Sequence, residues 1–317
     1  MTLLVVTASV AIRQTDLFAV VMLFGTYSFL IALLFMELDA VDVAFTEASI
    51  GTGIGTVLML STLRRVGRHE KRHRRYPLIA LGVVLATGAA LFYGLSDIPS
   101  FGDPNAPIHQ HVAPRYIASH ESEVGVPNLV TAVLATFRGH DTLGETTVIL
   151  MAGLSVFLLL GLRDHGPVRS TRPAIGDTLV LRVVVKVLIA FLLLFALYVQ
   201  FHGDYGAGGG FQAGVIFATA FLVYDLVFGV NDMRRVLPLR WLPRLAVIGA
   251  LLYLGTGVAS MLLGGNFLDY DKLAADPVAG QHLGILVIEA GVGITVFASI
   301  LLIAYAFSGI RKSQPQD

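Results

Sequence analysis

No cysteine occurs in the 317 residues, which excludes disulfides, thiolate metal sites and iron–sulfur clusters held by this chain. Any redox chemistry associated with it belongs to a partner. Charge is also scarce, at 14% of residues, where soluble domains carry about 25%. Apolar residues make up 55%, above the roughly 45–50% of soluble proteins. These two departures exclude an ordinary soluble globular domain and indicate a membrane protein. The net charge is +0, so the overall balance gives no sign of nucleic-acid binding.

What the chain has in quantity is apolar runs long enough to cross a bilayer, each needing about 20 residues. Eight are evident, near 16–36, 41–63, 77–96, 146–162, 179–201, 211–229, 244–264 and 283–307. The fold expected is therefore all-α, a polytopic transmembrane helix bundle of 8–9 spans. The opening run before Arg13 is the marginal ninth: its twelve residues reach only about 18 Å at 1.5 Å per residue, well short of the hydrocarbon core. Neither a basic start nor a small-residue cleavage site marks it as a signal peptide, so it reads as a short span in preference to an interfacial segment.

Basic residues then orient the spans, because Lys and Arg accumulate on the cytoplasmic side. With strict alternation, 17 of the 22 fall inside, among them Arg64, Arg65, Arg68, Lys71, Arg72, Arg74 and Arg75. The carboxy terminus is then cytoplasmic, and the loops 97–140, 202–210 and 265–282 face out. The basic run at 64–75 follows a span directly, which favours orientation over nucleic-acid binding. In the long outer loop, 126–137 is apolar but too short to cross and reads as a lateral helix on the outer membrane face. His109 and His111 in the same loop are read as solvated, because a metal site needs further ligands.

Ionisable residues within spans are costly and normally face a partner, a cavity or an ion path. The candidates are Glu47, Glu289, Asp42, Glu145, Lys186 and Asp225. Glu47 and Glu289 lie deep, roughly 9 Å below the outer face by helical rise. Thr142 and Glu145 fit a capping box at the start of a helix, and Asp42 is placed to cap another. Lys186 and Asp225 are suited either to an interspan ion pair or to an ion route. Glu47 precedes GTGIG at 51–55, small residues that permit close helix approach and lie mid-span, where no nucleotide loop would be.

The stretch FHGDYGAGGGFQAG at 201–214 sits between two spans. No Lys-Ser/Thr follows it, which argues against phosphate binding. Its glycines suit a tight turn, with bare N–H or C=O groups available to an ion.

This stretch resembles the signature of the B-type component of Mrp multisubunit cation/proton antiporters, close to Y…HG-H-x-x-P-GGGFQGG. Asp204 replaces that pattern's second histidine and Ala207 its proline. DAVDVAFTEASIGTG at 39–53 is similar to the small membrane module at the carboxy end of the A-type Mrp component, also found as a separate polypeptide in membrane-bound hydrogenases. ESEVGVPNLVTAVLATFRGHDTLGETTV at 121–148 is similar to the module that follows it there. The resemblance implies three modules, at 1–75, 76–165 and 175–312, fused in one chain. It places His202, Gly203, Asp204, Gly208, Gly209, Gly210 and Phe211 in a motif loop, and Arg138, Asp141 and Thr142 in a second motif with Glu145. It further implies Na+ and H+ as transported ions, no bound cofactor, and large A- and D-type and small C-, E-, F- and G-type partner subunits in a cell membrane. A scaffold in a redox-driven, hydrogenase-like complex is the alternative it leaves open.

Overall fold

A computed structural model describes residues 1–70, 77–160 and 179–309. The expected cytoplasmic positions Lys71, Arg72, Arg74, Arg75, Arg163, Arg169, Arg172, Arg311 and Lys312 lie outside these described residues. The chain runs through α1 (Thr2–Arg13), α2 (Leu17–Glu37) and α3 (Val41–Glu47), then a π-helical segment Ala48–Gly55, α4 (Thr56–Val66) and α5 (Pro77–Leu95). In the long loop follow α6 (Pro107–Gln110), α7 (Val112–Ser119), α8 (Leu129–Thr131) and a further π-helical stretch, Ala132–Phe137. The remaining helices are α9 (Gly139–Leu159), α10 (Leu179–His202), α11 (Gly210–Phe228), α12 (Val230–Val236), α13 (Trp241–Leu262) and α14 (Pro277–Gly309).

Eight of these stretches are long and apolar enough to cross a membrane, in the order expected. Two start at least six residues earlier than the apolar runs suggest, at Gly139 and at Pro277. Polar first turns such as Gly139–Glu145 are invisible to a search for hydrophobicity. The opening segment is a 12-residue helix with no buried residue, and it packs on α2.

The centre of the bundle is α14, flanked by α9, α11 and α13. With no apolar contrast between lipid and side chain, such helices associate by close backbone approach through small residues. Gly214 faces Gly293, Gly249 faces Gly291 and Gly153 faces Ser299, and a Cβ on any of the three first-named glycines would lie within 3 Å of the opposite helix. Tyr253 and Tyr270, both fully buried, donate to the carbonyls of Gly139 and Ala135 at 2.8 and 3.1 Å. They thereby anchor the elbow between the lateral segment and α9. By contrast, no residue between 78 and 95 on α5 is buried.

At one end of the bundle, Arg68 grips Asp16 at 2.7 Å and the backbones of Asp16 and His69 pair. The hydrogen bond from Arg68 holds the exposed Asp16 carboxyl below its ordinary range. The opposite end carries the glycine loop, the lateral helix and the start of α14.

Candidate functional site

The site is built around residues 202–210, the loop between α10 and α11. Gly209, at φ 115° and ψ −179°, occupies a region essentially reserved for glycine, and its N–H returns to the Val199 carbonyl at 3.0 Å. This turn brings the start of α11 against α14. The Glu289 carboxylate rests there: a Cβ on Gly203 would lie 3.2 Å from its Oε2, and one on Gly209 3.0 Å from its Oε1. A Cβ on Gly210 would run into the Glu289 backbone carbonyl. The glycines are therefore a cradle for one carboxylate.

The expectation of bare backbone groups facing an ion needs correction, because protein side chains take them. Asn128 donates from Nδ2 to the carbonyls of Gly203 and Gly206 at 3.0 and 2.9 Å, and its own N–H bonds the Asp204 carbonyl at 3.0 Å. Thr131 Oγ1 donates to Gly203 O at 2.6 Å, and the Gly208 N–H donates to Asp42 Oδ1 at 3.2 Å. One loop is thus pinned by residues of α3 and of the lateral segment, distant in sequence. At its rim His282 Nδ1 bonds Asp204 Oδ2 at 3.0 Å, and His202 stacks on Tyr198 with ring centres 5.0 Å apart.

Two capping assignments are also corrected. Asp42 lies in the first turn of α3, whose preceding residue Ala40 provides no side-chain cap, and its carboxylate reaches across to Gly208 instead. Thr142 is three residues inside α9, which begins at Gly139; its hydroxyl donates to Leu134 O at 2.8 Å, back across the elbow. Arg138 and Asp141, the adjoining motif pair, form an exposed ion pair at 2.5 Å. The lateral helix expected at 126–137 spans Leu129–Phe137, started by Asn128, whose side chain accepts from Val130 N–H at 2.9 Å.

Beside the loop lies a cavity of about 270 Å³. Three acidic residues line it, Asp42 from α3, Glu145 from α9 and Glu289 from α14, along with Gln212 and Thr46. Asp204 and Asp42 are both close enough to act electrostatically on Glu289. Gln212 Nε2 donates to Thr46 Oγ1 at 3.0 Å, joining lining residues of α11 and α3. The remaining walls are apolar, including Val130, Leu134, Ile149, Phe211, Ile288 and Val292. Carboxylates of three separate segments facing one partly apolar chamber can exchange a proton for a small cation.

Glu47 does not line this chamber. It sits on α3 just before the π-helical segment and accepts a hydrogen bond from Ser28 of α2. A Cβ on Gly51 would strike both of these side chains, so GTGIG serves packing within the chain here. π-Helical turns inside helices are uncommon and recur at functional sites. Lys186 and Asp225 are at the opposite end of α10 and α11 from the glycine loop. The Lys186 ammonium is exposed and stands 5.8 Å from the Phe228 ring centre, while Asp225 is half-buried. His109 and His111 are exposed, and among the described residues no His, Asp and Glu cluster suited to a metal occurs.

The site therefore defines a class: a polytopic helical membrane subunit whose intramembrane carboxylates converge at one end of the bundle. Residues 180–302 match the family described as a domain related to the MnhB subunit of Na+/H+ antiporter. Residues 2–68 and 74–175 match the families described as the D and the E subunits of MBH, respectively. The putative antiporter subunit mnhB2 of Staphylococcus epidermidis is 36% identical over 94% of its own length and 39% of this chain. The chain belongs to the MnhB-related family of antiporter subunits. Over 92% of the chain it is 26% identical to a protein of Rhizobium meliloti described as a probable K+/H+ antiporter A/B subunit, of which it covers 32%. A solved Mrp complex from a Dietzia species matches all of this chain with TM-score 0.75 at 25% identity, over 35% of the matched chain. The chain thus spans about a third of the length of these larger relatives. A chain of an archaeal membrane-bound sulfane sulfur reductase matches 73% of it at TM-score 0.56 and 30% identity, over 97% of its own length.

Proposed function

We propose that this chain is an integral membrane subunit of a multisubunit antiporter exchanging Na+ for H+, and that the cavity between Asp42, Glu145 and Glu289 is a station on the ion route. The observation that carries this reading is the placing of Glu289, within a span, against a glycine cradle and open to a chamber shared with two further acidic residues. A half-buried carboxylate within a span is costly to leave charged, so it holds a proton or a cation, and each binding displaces the other. Asp42 and Glu145 lower the potential at the chamber, which draws cations in. The apolar walls keep the charges strongly coupled by limiting water.

The chain works beside the other antiporter subunits, large A- and D-type and small C-, E-, F- and G-type, in the cell membrane. The glycine-loop end faces out and the carboxy terminus faces the cytoplasm, a sidedness supported by the basic residues at the opposite end. Transport is the activity assigned, with redox chemistry left to partners.

The test is Glu289→Gln in membrane vesicles, with assembly of the complex checked in parallel. Exchange is expected to fall by on the order of tenfold, corresponding to about 1.4 kcal/mol. Unchanged exchange in a fully assembled variant assigns the cavity to scaffolding.

A second reading is favoured by the match to the reductase complex: a scaffold in the membrane arm of a redox-driven ion pump. Copurifying nickel–iron or iron–sulfur proteins support it. Two large antiporter-like subunits without them support the first.

A further inference from the structure

His282 was not among the residues singled out by sequence, yet it stands at a position of consequence. It lies seven residues before Glu289 on α14, two helical turns, which puts both on one face and about 10 Å apart along the axis. Each touches the glycine loop: Glu289 through Gly203 and Gly209, and His282 through Asp204. The imidazole is 36% exposed and the Asp204 side chain 22%, so the pair runs from solvent toward the interior. Asp204 in turn acts electrostatically on Glu289.

We propose that His282 and Asp204 form a proton port, through which Glu289 exchanges protons with the water on the glycine-loop side. The inference rests on the antiport reading above. Its chemistry follows from the pairing. An ionised carboxylate only accepts hydrogen bonds, so with Asp204 ionised Nδ1 carries the hydrogen between them, and in the neutral imidazole Nε2 is then the base. Water delivers a proton to Nε2, giving imidazolium. The Nδ1 proton then passes to Asp204 Oδ2, leaving a neutral imidazole of the other tautomer. Asp204, now protonated, no longer opposes charge on Glu289, and passing its proton to the Glu289 carboxylate restores the ionised Asp204. Run backward, the same steps release a proton outward. Histidine is the side chain whose ordinary titration falls between pH 5 and 8, which suits a port working against neutral water.

Other charged groups around this end of α14 are committed or exposed. Asp271 accepts from Gln281, Asp276 from the Ala279 N–H and Asp269 from the Asn266 N–H. Glu123 pairs with Arg115 at 2.7 Å, and His202 stacks on Tyr198. Glu121 and Lys272 are exposed to solvent. Across the loop, Asp42 and Glu289 are the groups that share the port's field.

The test sets pH independently on the two sides of vesicles holding the whole complex, with wild type, His282→Gln and Asp204→Asn compared. The glycine-loop side is identified by labelling Tyr205→Cys, a 68% exposed position in a cysteine-free chain. Wild-type exchange is expected to respond to pH between about 5 and 8 on that side. In His282→Gln this response disappears, while the response to pH on the other side stays. Gln can still donate to Asp204, so a purely structural histidine predicts an unchanged pH profile in this variant. That result, in an assembled and active complex, overturns the port alone. Absence of exchange in wild type overturns the antiport reading and the port together, so the two failures are distinct.

Discussion

A Cβ on Gly209 would lie 3.0 Å from the Glu289 Oε1, at a backbone φ of 115° that other residues rarely adopt. Gly209→Ala therefore meets strain and a crowded carboxylate at once. The backbone cost alone is about 1–3 kcal/mol. Displacing Glu289 from its cradle should also lower exchange. Thermal stability of the complex and vesicle transport are expected to fall together, whereas Gly144→Ala, with nothing within 4 Å of its added Cβ, should change stability little. Equal stability of the two variants contradicts the cradle.

Asn128 offers a second handle on the same loop. Its amide supports two loop carbonyls and its backbone a third. Asn128→Ala leaves the Gly206 carbonyl without this donor and Gly203 with Thr131 alone. The cost of losing such partners is about 1–3 kcal/mol for each buried group left unsatisfied. Protease cleavage within 202–210 is expected to accelerate in the variant, since the loop loses its fixed position. Unchanged cleavage shows that Thr131 and Asp42 hold the loop unaided.

The spans could be read from sequence because length and apolarity act locally, and each run declares itself without its neighbours. The resemblance also drew attention to Asp42, Glu145 and the glycine loop. What no single stretch could show was their convergence with Glu289, since these residues lie on α3, α9, α14 and the 202–210 turn and meet only through tertiary packing. Local rules misled at Thr142: Thr-x-x-Glu is a valid cap, but the elbow fixed by Tyr253 and Tyr270 starts the helix at Gly139 instead. Asn128 and Gln212 lie within the stretches that carry the resemblance but were given no role there, and Ser28 and His282 were missed because each is a lone polar residue with no spacing pattern. The substitution of Asp for His at 204 was the available signal, because a carboxylate there calls for a donor.

The face of α5 yields a prediction about assembly. Between 78 and 95 no residue is buried, and the stretch carries no charge. A spanning helix so little covered by its own chain is set in position by lipid or by partner subunits. Replacing Ala86 with Leu should leave the isolated chain's stability nearly unchanged, as expected for a surface substitution within about 0.5 kcal/mol. If a partner covers this side, recovery of the complete complex falls. Full recovery shows that this face meets lipid.

Glu47 and Ser28 provide the last test, away from the cavity. The Ser28 hydroxyl donates to the Glu47 carboxylate where α3 passes into the π-helical segment, with Gly51 packed against both. Losing a hydrogen-bond partner costs about 1–3 kcal/mol, so Ser28→Ala loosens the contact between α2 and α3 that holds the Glu47 side chain. If Glu47 alternates between protonated and ion-bound states, Ser28→Ala, which keeps the carboxylate, should lower exchange only in part. Glu47→Gln should instead lower exchange at every pH, since no proton can leave the amide. A Glu47 that only packs predicts a different pair of results: both variants assemble and exchange at wild-type rates with the wild-type optimum. Measuring exchange by both variants in assembled complexes separates the two.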